Sequence, residues 1–312
     1  MPFNRMSLIA LFLLWIVISF AVTNFQANAD EVWQPPSGLQ QIPIWPKDAP
    51  DMQGVVLPAE SLKPGTQTIM NVSQPTMTIF PSRGKNTGVA VVVFPGGGFR
   101  ILAMDIEGTE LCDWITAKGI TCVLSKYRVP RSADYWDKTC RCRITPKVSF
   151  AVQDAQRTIR LVRARAKELN IDPQKIGVLG MSSGGYLVAE TSNLFEPAYE
   201  PVDAIDKISS RPDFAIALYP GHMCDDRKTL KTMPHVTKQA PPTFLLQSWQ
   251  DPVDDVCNSL VYARALYDAG VDTEVHVFAK GGHAFGIRKT NQPITKWPAL
   301  AEDWLEDIGM LP

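Results

Sequence analysis

Residues 178–186 read VLGMSSGGY and place two serines among three glycines directly after a short apolar run. Residues 180–184 match the pattern G-x-S-x-G, in which a strand turns sharply into a helix and presents a serine at the apex. The register favours Ser182 as the nucleophile, because choosing Ser183 would put Met181 where the first glycine belongs. Taken alone, the pattern also fits a glycine-rich turn that has no catalytic role.

The surrounding sequence alternates short apolar runs with longer segments of helical periodicity. Apolar residues recur three and four positions apart in residues 152–166, and residues 256–269 and 295–308 repeat this spacing. Near-continuous apolar strands separated by helices indicate an α/β domain with a mostly parallel sheet covered on both faces. The predicted strands are MTIF (77–80), VAVVVF (89–94), ITCVL (120–124), IGVL (176–179), FAIALY (214–219), FLLQ (244–247) and EVHVF (274–278).

A serine nucleophile needs a general base, and the chain has four histidines. His283 stands in AKGGHAFG directly after the last predicted strand, where flanking glycines let the loop bend inward, so it is the favoured base. His222 follows the strand FAIALY and is the second choice. His276 lies within a predicted strand, which favours a structural role, and nothing recommends His235 in its loop.

The base in turn needs a carboxylate that orients its imidazole and stabilises the imidazolium. The stretch SWQDPVDD offers Asp251, Asp254 and Asp255 after the strand FLLQ. Asp251 is favoured because it comes first after the strand. Asp254 or Asp255 would instead cap a helix that starts near Val256, since aspartate accepts hydrogen bonds from the free N–H groups of a helix start.

The glycine run PGGG at residues 95–98 ends the predicted strand VAVVVF and exposes consecutive backbone amides. A turn of this kind supplies an N–H to the negative oxygen that develops on an attacked carbonyl, and one such donor is typically worth roughly 3 kcal/mol. The same glycines would suit a phosphate-binding loop. Neither G-x-G-x-x-G nor a P-loop lysine follows, which disfavours nucleotide binding.

The first 29 residues have the layout of a secretory signal, with a basic residue, an apolar run at 8–22 and an A-x-A sequence at 27–29. We predict cleavage near residue 29 and export to the periplasm or beyond. A retained anchor is the alternative, although the run is short for a membrane span. Proline-rich residues 30–70 are predicted to form an irregular arm over the surface, and residues 71–312 a single domain with no further membrane segment.

Charge and cysteine content narrow the functional classes. The 31 basic and 32 acidic residues nearly cancel, so the sequence has no electrostatic footprint for nucleic acid or a membrane surface. Export would permit disulfides among the six cysteines. Cys122, inside the apolar run ITCVL, is predicted to be a buried free thiol. Cys140 and Cys142 lie in a basic loop without a matching His/Cys pair at zinc-finger spacing, so a metal site there is disfavoured.

These elements resemble the esterase and lipase branch of the α/β-hydrolase superfamily, and more narrowly exported bacterial acetyl esterases and xylan-associated esterases. The similarity runs from about residue 42 to the C-terminus and is densest in VVFPGGGFRILAMDIEGTELCDWITAKGITCVLSKYRVP, IGVLGMSSGGYLV, PPTFLLQSWQDPV and HVFAKGGHAFG. The chain order of serine, aspartate and histidine is that of α/β-hydrolases and not that of trypsin-like or subtilisin-like enzymes. The resemblance implies the α/β-hydrolase fold with a mostly parallel sheet, flanking helices and no large lid.

The resemblance also implies specific site residues and one disulfide. Pro95 stands where lipases often have histidine, and Gln250 replaces the first residue of an acidic pair, which simplifies the assignment of Asp251. Cys224 and Cys257 leave neighbouring strands at the same sheet edge in such a fold, so a disulfide is expected between them. The implied catalytic residues are Ser182, Asp251 and His283, and the implied oxyanion hole is formed by the backbone N–H groups of Gly97, Gly98 and Ser183.

The sequence therefore predicts an exported serine carboxylic-ester hydrolase that removes acetyl or other short acyl groups from small-molecule or xylan-like esters, with no metal or organic cofactor. An exported serine peptidase of the same fold is the first alternative, and it is disfavoured because such peptidases usually carry a propeller domain for which this chain has no room. A catalytically inactive binding protein is disfavoured because all three triad residues are present. A glycosidase is rejected, because it would require two carboxylates facing across a cleft and no such pair stands out beyond the Asp251 cluster, which already serves to orient His283. The sequence does not predict an oligomeric state.

Overall fold

A computed structural model describes residues 32–52, 58–129, 135–137, 142–144, 150–225, 227–230 and 236–312. The expected signal segment and His235 lie outside these residues. The strands are β1 (Ile42–Pro43), β2 (Ser61–Leu62), β3 (Thr68–Met70), β4 (Thr76–Phe80), β5 (Ala90–Phe94), β6 (Ile101–Ala103), β7 (Thr121–Lys126), β8 (Tyr135–Asp137), β9 (Cys142–Ile144), β10 (Ile176–Met181), β11 (Phe214–Leu218), β12 (Thr243–Ser248) and β13 (Thr273–Phe278).

Helices separate most of the long strands, as the alternating sequence pattern predicts. The α-helices are α1 (Glu110–Ala117), α2 (Phe150–Ala164), α3 (Ala166–Leu169), α4 (Ser183–Thr191), α5 (Cys257–Asp268) and α6 (Trp297–Asp307). A π-helical turn at Asp105–Thr109 leads into α1, and short 3-10 turns lie at Ala204–Lys207 and Pro293–Lys296.

The main sheet has eight strands in the order β1-β4-β7-β5-β10-β11-β12-β13. The six strands from β7 to β13 in this order run parallel, whereas β4 is antiparallel to β7 and β1 is antiparallel to β4. The chain leaves β5 toward β7 on one side and returns to β10 on the other. Ligands of such sheets bind where the strand order reverses, beyond the carboxyl ends of the strands, so this topology places the loops after β5 and β10 at the expected site.

The seven predicted strands are all present in this sheet, as β4, β5, β7, β10, β11, β12 and β13. β5 and β10 are buried along their whole length, which explains their near-continuous apolar sequences. β13 lies at the edge of the sheet and alternates in exposure, with Val275 and Val277 the more exposed side chains. The predicted fold is therefore confirmed.

The N-terminal stretch differs from the irregular surface arm that we predicted for residues 30–70. It contributes β1 to the main sheet and β2 and β3 to a small three-stranded sheet with β6. Trp45 is 6% exposed, and its indole N–H donates to Asp154 of α2 at 2.8 Å. Arg157 of the same helix donates to the carbonyl of Ile44 at 2.9 Å. The stretch packs against α2, because it supplies hydrogen-bond partners to buried polar side chains of that helix.

Two disulfides are present among the described cysteines. Cys224 and Cys257 are bonded, as predicted, and their bond ties the loop after β11 to the first residue of α5. The prediction that Cys122 is a free thiol is wrong, because Cys122 of β7 is bonded to Cys112 of α1. Helix α1 turns back directly onto the strand that follows it, which brings two cysteines ten positions apart face to face in the core. Cys140 and the side chain of Cys142 lie outside the described residues.

No helix in the described part of the chain is long and apolar enough to cross a membrane.

Candidate active site

Ser182 lies at the apex of the turn between β10 and α4, with φ 53° and ψ −121°. A non-glycine residue rarely adopts this backbone conformation, so the surrounding packing must hold it. The packing is tight, since a Cβ at Gly180 would lie 2.1 Å from the carbonyl oxygen of Gly184, and one at Gly184 would lie 1.9 Å from that of Phe94. The glycines of the motif are therefore required by the close approach of strand and helix, as the sequence predicts.

The structure brings Ser182, His283 and Asp251 into one hydrogen-bonded row. The Nε2 atom of His283 lies 3.0 Å from the Ser182 hydroxyl oxygen, and its Nδ1 atom lies 2.7 Å from Oδ2 of Asp251. The second oxygen of Asp251 accepts from the backbone N–H groups of Val253 and Asp254 at 2.8 and 3.0 Å. The carboxylate is thus fixed on one side by its own loop and faces the imidazole with the other.

Burial and charge act in opposite directions on His283, whose side chain is 10% exposed. Burial disfavours the charged ring, but the hydrogen bond with Asp251 and the charges of Asp251 and Asp254 outweigh it and raise the pKa of His283 above its ordinary value. The site therefore stabilises the imidazolium, which is the form that a general base takes after it has accepted a proton.

The glycine loop after β5 lies close to Ser182, since a Cβ at Gly96 would lie 2.9 Å from the Cβ of Ser182. Among the described residues, no acceptor pairs with the N–H groups of Gly97, Gly98 or Ser183. Gly97 and Gly98 have φ values of 139° and 61°, and a Cβ at Gly97 would lie 2.1 Å from the carbonyl oxygen of Ile101. Ser183 is the first residue of α4, where helix N–H groups have no partner within the helix. These N–H groups can donate hydrogen bonds to an oxygen that develops negative charge and so stabilise it.

Sequence reasoning missed Glu107, which holds the glycine loop in place. Its side chain is 2% exposed and accepts from the backbone N–H of Gly96 at 2.7 Å and from the Tyr219 hydroxyl at 3.0 Å. Tyr219 packs its ring against His283, with centroids 4.8 Å apart. Burial raises the pKa of Glu107, and the two hydrogen bonds oppose that shift. A glutamate in a π-helical turn gives no pattern that would point to this contact.

Sequence reasoning also left Asp254 as a possible helix cap, and the structure places it elsewhere. Its Oδ2 atom accepts from the Ser182 hydroxyl at 3.3 Å and lies 3.8 Å from Nε2 of His283. The cap is provided by Asp255, whose Oδ1 atom accepts from the backbone N–H of Cys257 at 2.8 Å. The three aspartates after β12 therefore have different contacts. Asp251 contacts His283, Asp254 contacts Ser182, and Asp255 contacts the start of α5.

His222 and His276 take other positions in the fold, and His235 lies outside the described residues. His222, our second choice as base, is exposed. Its ring contacts those of Phe99 and Tyr186 at centroid distances of 5.5 and 5.9 Å. His276 lies on the edge strand β13, where its Nε2 atom is 2.5 Å from Oε1 of Glu274. The structural interpretation of His276 agrees with this position.

A profile of the prolyl oligopeptidase family matches residues 151–309, half of the chain, and this range includes Ser182, Asp251 and His283. The chain belongs to the prolyl oligopeptidase family. A second profile, named BD-FAE, matches residues 79–218 and covers the glycine loop after β5. The two matches together span the six parallel strands of the main sheet, the serine turn and the histidine loop of this prolyl oligopeptidase family member.

Several proteins similar to this family member are named as esterases or ester hydrolases. An acetylxylan esterase of Xylanibacter ruminicola is 26% identical over 83% of this chain and 52% of that protein, so the chain spans about half the length of that relative. The crystal structure of an acetyl ester-xyloside bifunctional hydrolase from Caldicellulosiruptor lactoaceticus is 29% identical with a TM-score of 0.69, covering 88% of this chain and 97% of that one. Esterase 2 of Thermogutta terrifontis, 24% identical with a TM-score of 0.61 over 80% of this chain and 97% of that one, shares the fold. The α/β-hydrolase fold and the esterase branch of the superfamily are confirmed.

Proposed function

We propose that this protein is a serine carboxylic-ester hydrolase that removes acetyl or other short acyl groups from carbohydrate esters such as acetylated xylan. The observation that carries the proposal is the row of contacts from Ser182 through His283 to Asp251, at 3.0 and 2.7 Å, together with nearby backbone amides that have no acceptor among the described residues. A nucleophile, a base, an orienting acid and oxyanion donors are the parts that acyl transfer needs.

In the first half of the proposed reaction, the Ser182 oxygen attacks the ester carbonyl while His283 accepts the serine proton at Nε2. Asp251 holds the Nδ1–H tautomer of the ring and stabilises the imidazolium. The amides of Gly97, Gly98 and Ser183 stabilise the negative oxygen of the tetrahedral intermediate. His283 then donates the proton to the departing alcohol oxygen, which leaves an acyl-enzyme on Ser182.

In the second half, water attacks the acyl-enzyme. His283 accepts a proton from the water and returns it to the Ser182 oxygen as the acid departs. No redox change occurs, and the sum is one water consumed for each ester cleaved. The chemistry of these side chains and amides is complete for hydrolysis, and the sequence predicts no cofactor for it.

The choice of substrate is supported by the relatives. One is named as an acetylxylan esterase and another as an acetyl ester-xyloside hydrolase. These names concern those proteins, and we infer the same substrate class for this chain. Partially acetylated xylan and small acetylated sugars are the first substrates to test.

Export is a second part of the proposal. It is supported by the signal-like layout of the first 29 residues and by two disulfides, which form and persist in oxidising compartments. The N-terminal sequence of the protein recovered from the culture medium or periplasm tests it, and a start near residue 30 is expected.

The catalytic assignment is tested with p-nitrophenyl acetate and a fluorophosphonate probe. Ser182→Ala is expected to lose at least about 1000-fold in kcat/KM and to lose labelling. Ser183→Ala should still be labelled, because it keeps the backbone amide, and Ser209→Ala, at an exposed loop position, is the activity control. Full activity of Ser182→Ala would overturn the mechanism. A panel of acetylated xylan, short and long p-nitrophenyl esters and feruloyl esters then ranks acyl groups and alcohols.

Peptide hydrolysis is the second candidate, because the matching profile is that of the prolyl oligopeptidase family. The same serine, histidine and aspartate would serve it. Peptide p-nitroanilides assayed beside p-nitrophenyl acetate distinguish the two, and we expect measurable turnover of the ester only.

A further inference from the structure

Asp254 brings a second carboxylate to the candidate nucleophile that the proposed reaction does not use. Its Oδ2 atom is 3.3 Å from the Ser182 hydroxyl oxygen and 3.8 Å from Nε2 of His283. Asp251 already orients the imidazole from the opposite side, at Nδ1. The orientation of the imidazole therefore does not explain why the Asp254 carboxylate lies near Nε2 of His283 and the serine hydroxyl.

The carboxylate of Asp254 is largely buried. Its side chain is 15% exposed, and among the described residues it accepts a hydrogen bond from the Ser182 hydroxyl and interacts electrostatically with His283 and His222. A carboxylate has about four acceptor positions. Because a buried acceptor without donors is costly, this side chain has capacity for hydroxyl or amide donors from a bound molecule.

The fold makes room for this carboxylate. A Cβ at Gly221 would lie 2.4 Å from Oδ1 of Asp254, so only glycine allows the carboxylate to lie against the loop after β11. The backbone N–H of Asp254 is bound by Asp251, and its carbonyl accepts from Gln247 at 3.0 Å. The Cys224–Cys257 disulfide ties together the two loops that hold Gly221 and Asp254. The backbone of Asp254 is therefore held in place, and its carboxylate lies against Gly221.

Two structural roles for Asp254 do not fit. Helix α5 is capped by Asp255, so Asp254 is not needed there. Among the described residues, no group of three or more His, Cys, Asp or Glu side chains is arranged to hold a metal ion. Burial raises the pKa of Asp254, which means that a neutral side chain would be easier to accommodate at this position.

The position of the departing alcohol shows what Asp254 can contact. The alcohol oxygen must lie within roughly 3 Å of Nε2 of His283 to receive its proton. The Asp254 carboxylate lies on the same side of the ring, 3.8 Å from that nitrogen. If the carbon that bears the departing oxygen lies on the Asp254 side of that nitrogen, a hydroxyl on the next carbon comes within hydrogen-bond reach of the carboxylate.

We propose that Asp254 is a substrate-binding residue that accepts a hydrogen bond from a free hydroxyl next to the ester. This inference rests on the proposed ester hydrolysis and narrows its substrate to monoesters of vicinal diols, the chemistry of a partly acetylated sugar. A fully esterified or simple alkyl ester lacks the donor and leaves the carboxylate without a partner from the substrate. Selectivity of this kind is large when a site contains a buried polar group that the poorer substrate leaves unpaired.

Binding of such a hydroxyl also changes the state of Ser182. In the absence of substrate, the serine hydroxyl has two acceptors, His283 at 3.0 Å and Asp254 at 3.3 Å. A substrate hydroxyl on Asp254 takes the place of the serine as donor, so Ser182 donates to His283 alone. The hydroxyl should consequently increase kcat as well as decrease KM.

The test uses two esters that differ in one hydrogen-bond donor, ethylene glycol monoacetate and the acetate of its monomethyl ether. We expect the parent protein to prefer the free hydroxyl by about 10-fold or more in kcat/KM, the size of one hydrogen bond to a charged group. Asp254→Ala should reduce this ratio to about 1, and Asp254→Asn should give an intermediate ratio because it keeps one acceptor oxygen. Asp255→Asn is the control, since this neighbouring carboxylate bonds Lys228 and the start of α5, and it should keep the parental ratio.

Each outcome has a distinct meaning, and thermal melts identify variants that do not fold. A ratio near 1 in the parent, or a parental ratio in both Asp254 variants, overturns the role of Asp254 while ester hydrolysis stands. Hydrolysis of neither ester by the parent overturns the proposed function and the inference with it. Because the ratio compares two substrates on one protein, a general loss of activity cannot imitate the expected result.

Discussion

Oδ2 of Asp251 lies 2.7 Å from Nδ1 of His283, and the Asp251 side chain is fully buried. Gln247 also donates to this oxygen at 3.1 Å, so the carboxylate is held by side chain and backbone together. The contact fixes which nitrogen of the imidazole carries the proton and leaves Nε2 to accept one.

Asp251→Asn should decrease kcat/KM for p-nitrophenyl acetate by about 1000- to 10,000-fold, because the amide favours the wrong tautomer of His283 and does not stabilise its charge. Asp255→Asn removes the same charge from the same loop and should lose less than about 3-fold. Steady-state kinetics of both purified variants makes the comparison. A loss in Asp251→Asn no larger than that of the control would show that another group orients the base.

Glu107→Gln should decrease kcat about 10- to 100-fold, because Glu107 holds the glycine loop of the proposed oxyanion donors through the Gly96 N–H. KM for a small ester should change less, since the effect falls on the transition state. Glu110→Gln is the matched control, because Glu110 forms a partly exposed ion pair with Arg288. If KM rises while kcat stays at the parental value, Glu107 contributes to binding instead.

The sequence was sufficient to predict the fold and to select Ser182 and His283 as candidates, for identifiable physical reasons. Strands buried on both faces have continuous apolar sequences, and the glycines around Ser182 are imposed by contacts that allow no side chain. With four histidines in the chain, only one lies between glycines directly after a strand. These features involve residues that are close together in the chain, so they can be recognised in a single sequence.

Residue roles that depend on tertiary contacts could not be predicted from the sequence. Glu107 acts through Gly96, and Asp254 through Ser182, and these partners are 11 and 72 positions away in the chain. Cys122 has the apolar surroundings of a buried thiol, and only the direction in which α1 packs reveals Cys112 as its partner. The residues of the N-terminal stretch look irregular because their partners lie on α2.

The two disulfides should differ in their resistance to reduction of the folded protein. Cys112 and Cys122 are fully buried, whereas Cys224 is partly exposed. Since thiol–disulfide exchange requires access of the attacking thiolate, Cys224–Cys257 should be reduced first. Mass spectrometry after graded dithiothreitol treatment and alkylation identifies the modified cysteines. Earlier alkylation of Cys112 or Cys122 would indicate that the core opens more readily than the loop after β11.

On its acidic side, the pH dependence of kcat/KM should follow the protonation of His283. This base must be neutral to accept the serine proton, so kcat/KM rises as the pH increases through its pKa, which lies above the ordinary histidine value. Asp254→Asn removes a negative charge 3.8 Å from Nε2 and should move the acidic side of the profile to lower pH. Asp268→Asn, an exposed change on α5, serves as the control and should leave the acidic side in place. A shift to higher pH in Asp254→Asn would contradict the electrostatic argument.

Glu190 on α4 is expected to make stability depend on pH. Burial raises the pKa of Glu190 to about 7, against an opposing hydrogen bond from Tyr186. The folded protein then binds one more proton than the unfolded chain between the ordinary carboxyl value and about pH 7, so the free energy of unfolding falls as the pH rises through this range. Glu190→Gln cannot ionise and should remove this loss.

The expected result is a variant that is more stable than the parent at pH 8 by up to about 3 kcal/mol, with a much smaller difference at pH 5. Urea unfolding at the two pH values measures it, and Glu306→Gln, at an exposed position on α6, is the matched control. An equal stability difference at both pH values would mean that the substitution changes packing and not ionisation. The change in this stability difference between pH 5 and pH 8 reports the ionisation of Glu190, because the packing of glutamine is the same at both pH values.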